Sequence, residues 1–227
     1  MWDSSMTIML LEGTRDTLYM TLLATFFWIC LRTADGYCAD GDSEDGIQPS
    51  SRSGQSVYAV IYKILDVIVN ITRSIPFLIL LILVIPLTKL IVGKSYGSAA
   101  TIVPLTIAAA PFIARMVESS LKEVDRGVIE AAQSMGASTG RIIWSVLLVE
   151  ARTSLLVGVT IAIGTILGYS AMAGAVGGGG LGDIAIRYGY YRYQTDVMLV
   201  TIVILVLLVQ ILQSIGMMLS KKLDRRR

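Results

Sequence analysis

The chain has 227 residues, of which 54% are hydrophobic and 16% charged, and its mean hydropathy is +0.69. This composition is typical of a polytopic membrane protein and excludes a soluble domain. A net charge of +2 indicates no nucleic-acid partner, and the absence of histidine excludes a histidine base. The only cysteines, Cys30 and Cys38, predict neither a zinc site nor a disulfide framework. We therefore expect an all-α membrane protein that is not an enzyme and holds no metal or cofactor.

A bilayer core of about 30 Å needs roughly 20 apolar residues in a helix, and five stretches approach that length. The predicted spans are residues 17–31, 75–93, 98–117, 154–176 and 197–219. The first stretch stops at Arg32 and is shorter than the others, so it spans the hydrocarbon only with help from residues before it or from a thinner bilayer.

Residues 32–55 interrupt this apolar pattern with five acidic residues and four glycines. Such a composition predicts a disordered or loosely ordered loop. The change is abrupt on both sides, which leaves two interpretations: a shortened first span followed by an inserted loop, or a local reading-frame error in the gene sequence. We divide the chain into an N-terminal segment with the short first span (1–31), a polar cytoplasmic loop (32–56) and a core (57–227).

A proline marks the start of the second predicted span. Pro76 removes a helix donor and disfavours helical geometry at Ile75, so we expect a kink or a break there. Arg73 lies just before it. Its side chain either anchors the chain at the membrane interface or pairs within the bundle during gating.

The fourth predicted span is rich in small residues. Gly164 and Gly168 form a GxxxG pair, a spacing that lets two helices touch backbone to backbone. Met172 stands among small residues, so two copies facing each other could seal a pore, although plain core packing explains it equally well. Tyr169 and Ser170 are further candidates for the pore lining.

Residues 125–151 form a polar segment between the third and fourth spans. Asp125 can cap a helix and Gly136 can end it in a left-handed conformation, which predicts a helix over 126–136. Four apolar residues at helical spacing predict a stripe on which this helix lies flat. They are Val128, Ile129, Ala132 and Met135.

The amino-acid sequence of this segment resembles the EAA signature of ABC importer permeases. The matching residues are Glu130, Ala131, Ala132, Gly136, Val146, Leu147 and Leu148. In that family the segment is the coupling helix, which docks into the ATP-hydrolysing subunit. The family usually has proline where this chain has Val149, a departure that affects the angle of the next span. Three further stretches, 70–81, 99–124 and 168–193, resemble the methionine-uptake permeases of this family.

The resemblance implies the type I importer permease fold and the permease subunit of an ATP-driven importer for methionine, in its L form and, as an open question, its D form. It also implies a homodimer, two copies of an ABC ATPase and an extracytoplasmic methionine-binding lipoprotein. ATP would bind to the ATPase subunit. In this chain Gly93-Lys94-Ser95 resembles the end of a P-loop, but Thr88 stands where that motif needs glycine.

The distribution of lysine and arginine predicts the orientation. With the C-terminus inside, eleven basic residues lie in cytoplasmic segments and four lie outside. We therefore expect a multi-pass protein of the bacterial inner membrane with its N-terminus outside and its C-terminus in the cytoplasm. Two alternatives remain: a permease for another amino acid, and a secondary transporter, which would need a membrane-embedded carboxylate that the predicted spans lack.

Overall fold

The computed structural model describes residues 4–39, 67 and 70–224. These residues form helices and contain no strand, so the all-α prediction is confirmed for them. The principal helices are α1 (Ser4–Ala39), α2 (Phe77–Val92), α3 (Ser98–Lys122), α4 (Arg126–Ser134), α5 (Arg152–Ala173), α6 (Gly180–Ile184) and α7 (Thr195–Leu223). Between α4 and α5 lies a linking helix made of an α-helical turn (Thr139–Ile142), a π-helical turn (Ile143–Leu147) and a last α-helical turn (Leu148–Glu150). A 3-10 turn (Gly174–Val176) follows α5, and a π-helical turn (Ala185–Tyr190) follows α6.

Within the described residues, three helical stretches are long and apolar enough to cross a membrane: Ser98–Lys122, Arg152–Tyr190 and Thr195–Leu223. They contain the predicted third, fourth and fifth spans. The predicted second span corresponds to α2, whose 16 residues extend for about 24 Å and fall short of the hydrocarbon thickness.

The first predicted span differs from the structure at its C-terminal end. Helix α1 does not end at Arg32 but continues through Ala39, so the expected loop does not begin there. Arginine is a good helix former and no proline interrupts α1, so the charge ends the apolar run but leaves the helix intact. Residues 40–55 of the predicted loop lie outside the described part of the chain.

Helix α3 lies at the centre of the bundle and packs against α1, α2 and α5. The core between these helices contains Leu105 and Ile113 of α3 with Ile166 of α5, all of them buried. Helix α7 packs mainly against α5. Only 6% of its most apolar stretch is buried, so most of its apolar surface is available to lipid or to another chain.

The kink expected at Pro76 is confirmed. Residues 70–74 are helical, the chain bends at Ile75, and Pro76 has extended geometry with φ −56° and ψ 134°. Helix α2 then starts at Phe77, because Pro76 offers no N–H to a preceding turn.

Neither glycine of the GxxxG pair makes a close backbone contact with another helix among the described residues. A Cβ at Gly168 would meet no heavy atom within 4 Å, and one at Gly164 would meet only the amide of Gln213. Close backbone contact occurs instead between Gly174 and Gly182, where an added Cβ at either position would overlap the facing main chain. GxxxG spacing permits close approach, but the neighbouring helices decide which glycines need it.

Candidate coupling and gate sites

Helix α4 is built as its sequence indicates. The Asp125 Oδ1 accepts a hydrogen bond from the Gly127 N–H at 2.7 Å, which caps the start of the helix. The helix ends at Ser134, two residues before the predicted end, because Gly136 takes φ +76° and the Ala137 N–H bonds back to the Ala132 carbonyl at 3.1 Å.

The predicted apolar stripe of α4 is only partly correct. Ala132 is buried against Ile142 and Leu147 of the linking helix, and Ile129 is partly buried beside it. Val128 and Met135, however, are exposed, and Met135 is 80% accessible. The linking helix supplies the surface beneath α4, and it covers the middle of the stripe but not its ends.

The residues of the EAA signature therefore divide into two groups. Glu130 and Ala131 are exposed, and Gly136 has no heavy atom within 4 Å of the position where a Cβ would lie. Ala132 faces inward and seats the helix. A docking partner can reach the first group directly, whereas Ala132 acts by holding α4 in place.

The π-helical turn of the linking helix was not anticipated from the sequence. It covers Ile143–Leu147 and leaves Trp144 47% exposed. The helix then continues through Val149 to Glu150 and turns at Ala151 before α5 begins. With valine in place of the usual proline, the helical hydrogen bonding thus continues up to the turn at Ala151.

Met172 lies on an uncovered face of α5. Its side chain is 54% exposed, which is unusual for a methionine of a core helix. Gly168 of α5 and Ala175 of the 3-10 turn that follows it are also exposed, at spacings that place them on the same side as Met172. Ser170 is buried, and its hydroxyl donates to the Leu167 carbonyl at 2.8 Å, so it does not line a path in this conformation.

Tyr169 packs against the ring of Phe77. The two ring centroids lie 4.6 Å apart with an interplanar angle of 7°. The sequence indicated Tyr169 as a pore candidate but did not indicate Phe77, since the two residues are 92 positions apart in the chain. Only the packing of α2 against α5 brings them together.

Arg115 of α3 pairs with a residue of its own helix and with one of the helical turn before Pro76. Its guanidinium donates to Glu118 at 2.8 Å and to the Asn70 side-chain oxygen at 3.2 Å. Arg73, for which the sequence left an interfacial anchor and a pairing role open, is exposed. A signal for Arg115 was present in the sequence, because an arginine and a glutamate three residues apart on a helix can pair.

A glycine-rich loop connects α5, α3 and α1 at one end of the bundle, which we call the glycine pole. Gly177, Gly179 and Gly180 have φ of +76°, +79° and +75°, a backbone region that other residues rarely adopt. The buried Thr17 hydroxyl of α1 accepts from the Leu181 N–H at 2.9 Å, and the Thr101 hydroxyl of α3 donates to the Gly178 carbonyl at 3.1 Å.

A side-chain hydrogen bond strengthens the same junction. The Ser98 hydroxyl donates to the Asp16 carboxylate at 2.6 Å and thereby joins the start of α3 to α1. Sequence reasoning missed Asp16 and Thr17, which were assigned to the edge of a span and not to a contact. Polar residues are common at a bilayer edge. Nothing in the order of the chain indicates that Thr17 contacts the glycine-rich loop, whose Leu181 lies 164 positions later.

The opposite end of the bundle, the coupling pole, holds α4 and the linking helix. The start of α5 and the end of α7 lie close together there, since the Ser220 hydroxyl donates to the Thr153 carbonyl at 3.3 Å. Of the basic residues assigned to the cytoplasm, Lys122, Arg126, Arg141 and Arg152 are described and lie at this pole. Arg187 and Arg192, assigned to the outside, lie next to α6 at the glycine pole.

Comparison with known sequences identifies the family. The profile of the family described as "Binding-protein-dependent transport system inner membrane component" matches residues 53–227. A probable D-methionine transport system permease protein MetI of Vibrio cholerae is 48% identical over 99% of this chain and 96% of its own length. That alignment covers 225 residues and so passes through residues 32–55. A methionine import system permease protein MetP of Bacillus subtilis is 46% identical over 72% of this chain and 73% of its own length.

Solved structures agree with the sequence comparison. An inward-facing form of the MetNI methionine ABC transporter matches with a TM-score of 0.91 and 43% identity, over 99% of this chain and 100% of the other. An amino acid ABC transporter at 18% identity has a TM-score of 0.73 over 95% of this chain and 94% of its own, which shows a shared fold. The chain therefore belongs to the family of inner-membrane components of binding-protein-dependent transport systems, with the fold of an ABC importer permease.

Proposed function

We propose that this chain is the permease subunit of an ATP-driven importer for methionine, in its L form and also in its D form. The observation that carries the proposal is the match to the MetNI transporter, which at 43% identity covers nearly the whole chain. The names of the Vibrio and Bacillus relatives support methionine as the substrate.

ATP would bind to a partner and act on this chain through α4. The exposed Glu130 and Ala131 contact the ATPase, and the buried Ala132 transfers the movement of α4 to the linking helix. Closure of two ATPase subunits then moves two copies of α4 as rigid bodies, and the bundles attached to them open and close in turn.

The transport path runs along the axis of a homodimer. A protomer with so few spanning helices cannot enclose a path by itself. The uncovered face formed by Gly168 and Met172 of α5, with Ala175 of the following 3-10 turn, therefore faces the second copy. Two Met172 side chains close the path, since a long and flexible apolar side chain can seal it without a polar plug.

The coupling pole lies in the cytoplasm and the glycine pole faces outward. The excess of lysine and arginine at the coupling pole supports this orientation, with the N-terminus outside and the C-terminus inside the inner membrane. A methionine-binding lipoprotein then delivers substrate at the glycine pole.

The proposal is tested by uptake of labelled methionine in cells that lack their own transporter and express this chain with its ATPase and binding protein. We expect the uptake to depend on ATP. Unlabelled methionine isomers should reduce it, and other amino acids should not. Stronger competition by another amino acid would make this chain a permease for that amino acid. Uptake that follows an ion gradient and persists without ATP would indicate a secondary transporter.

The coupling role of α4 is tested at Gly136. We expect Gly136→Leu to reduce uptake at least about tenfold while the protein still inserts in the membrane. A Cβ at this position meets no described neighbour within 4 Å, but the leucine is forced into φ +76° on the docking surface. Gly140→Leu is the matched control, because Gly140 has equally open surroundings and an ordinary φ. Equal uptake by the two variants would contradict the coupling role.

A further inference from the structure

The rings of Phe77 in α2 and Tyr169 in α5 stack on each other. Phe77 is 7% exposed and belongs to the main core, and Tyr169 is partly buried against that core. Two nearly parallel rings with centroids 4.6 Å apart have the geometry of an offset stack. Such a pair adds about a two- to tenfold preference for one orientation of each ring, beyond the area that it buries.

The position of Phe77 depends on the bend before it. Phe77 is the first residue of α2 and directly follows Pro76, so no preceding helical turn holds it. The helical residues on the other side of the bend are tied to α3, because the Arg115 guanidinium donates to the Asn70 side chain at 3.2 Å. Phe77 therefore follows a bend whose other side is linked to α3, and its ring is held in the buried core.

Tyr169 extends this arrangement to the candidate gate. Met172 follows it by three residues on α5, and residues three apart are neighbours on a helix surface. Met172 is 54% exposed, so few contacts of its own fix its orientation. Tyr169 is therefore a near neighbour of Met172 on the surface of α5.

We infer that Phe77 is a positioning residue for transport: its ring holds Tyr169 in the orientation that lets Met172 and the substrate share the path. This inference rests on the proposed function. Phe77 does not contact the substrate. It acts through Tyr169, and the bend at Pro76 couples its place to the end of α3 that carries Arg115.

The inference is tested by measuring the KM and the maximal rate of methionine uptake for Phe77→Leu, with the rates corrected for the amount of protein in the membrane. We expect the KM to rise three- to tenfold, because leucine fills the core but gives Tyr169 no ring to stack on. Phe77→Tyr keeps an aromatic ring at this position, so its KM should stay close to that of the unchanged protein. Phe112→Leu is the matched control: Phe112 packs against the same core, and no ring pairs with it among the described residues.

A double-mutant cycle separates positioning from general packing. We expect Phe77→Leu to have no further effect on the KM once Tyr169→Leu is present, because the two changes remove one interaction. Two effects that multiply, or a KM for Phe77→Leu equal to that of Phe112→Leu, would overturn the inference.

A second readout does not depend on methionine. In a chain with Cys30→Ser, Cys38→Ser and Met172→Cys, the rate of reaction of the introduced thiol with a maleimide reports its surroundings. We expect Phe77→Leu to change this rate at least threefold and Phe112→Leu to leave it unchanged. An unchanged rate in both variants would refute the positioning role even if uptake were normal, and a changed rate without methionine uptake would refute the substrate proposal alone.

Discussion

At the glycine pole Gly174 and Gly182 lie backbone to backbone, whereas at the coupling pole Gly136 has no heavy atom near the place of its missing Cβ. The first two glycines are required by their neighbours in space, and Gly136 is required by its own φ of +76°. The glycine pole is held by hydrogen bonds between helices, among them those of Thr17 and Thr101. The coupling pole presents α4 on a small apolar patch, with Glu130, Ala131 and Gly136 of the signature exposed.

This difference indicates a division of labour. A junction in which three helices share buried hydrogen bonds and backbone contacts moves as one body, because interiors of this density deform little. A short helix held by a few apolar contacts and one cap has a lower local stability and can adapt to a partner. We expect substitutions at the glycine pole to affect folding and those at the coupling pole to affect transport.

The largest effect is expected from Gly182→Ala. The added methyl group overlaps the main chain of Ala171, and a backbone atom cannot move aside as a side chain can, so we expect a loss of about 3 kcal/mol or more in stability. Thermal unfolding in detergent measures this change.

Gly140→Ala is the matched control, since its methyl group meets no described neighbour within 4 Å and alanine is the better helix former. A stable Gly182→Ala protein would show that the junction is looser than its geometry indicates.

A smaller loss is expected from Asp16→Ala, which removes the acceptor of the 2.6 Å hydrogen bond from Ser98. A hydrogen bond to a charged group contributes about 1 to 2 kcal/mol when partly buried. The unfolding temperature should fall accordingly, and Glu12→Ala, at an exposed position one turn earlier on α1, should leave it unchanged. Equal behaviour of the two variants would argue against a rigid glycine pole.

The smallest effect is expected from Asp125→Ala at the coupling pole. Loss of the cap costs about 1 kcal/mol, and we expect it to act mainly on α4, whose first turn the cap closes. Hydrogen exchange of the amides of α4 should become about fivefold faster while α3 and α5 keep their rates. Asp125→Asn retains a capping oxygen and should exchange like the unchanged protein; equal exchange in all three would show that packing alone holds α4.

The sequence predicted well those features that depend on neighbours along the chain. The cap at Asp125, the left-handed Gly136 and the break at Pro76 each follow from the chemistry of one residue and its adjacent turn. The sequence predicted poorly which residues of an apolar pattern are buried, because several packings of the helices are compatible with one pattern. The stripe of α4 included Val128 and Met135, yet the surface beneath α4 covers neither.

The family and the all-α fold could be read from the sequence, because long apolar runs leave the backbone no other way to satisfy its hydrogen bonds in a membrane and because the EAA segment has a distinctive spelling. The contacts of Asp16 with Ser98 and of Phe77 with Tyr169 were decided by the tertiary structure. The tertiary structure also decided that Gly174 and Gly182, and not Gly164 and Gly168, make the close backbone contact. Each of these depends on which helix faces which and at what height, and that is settled by the packing of the whole bundle.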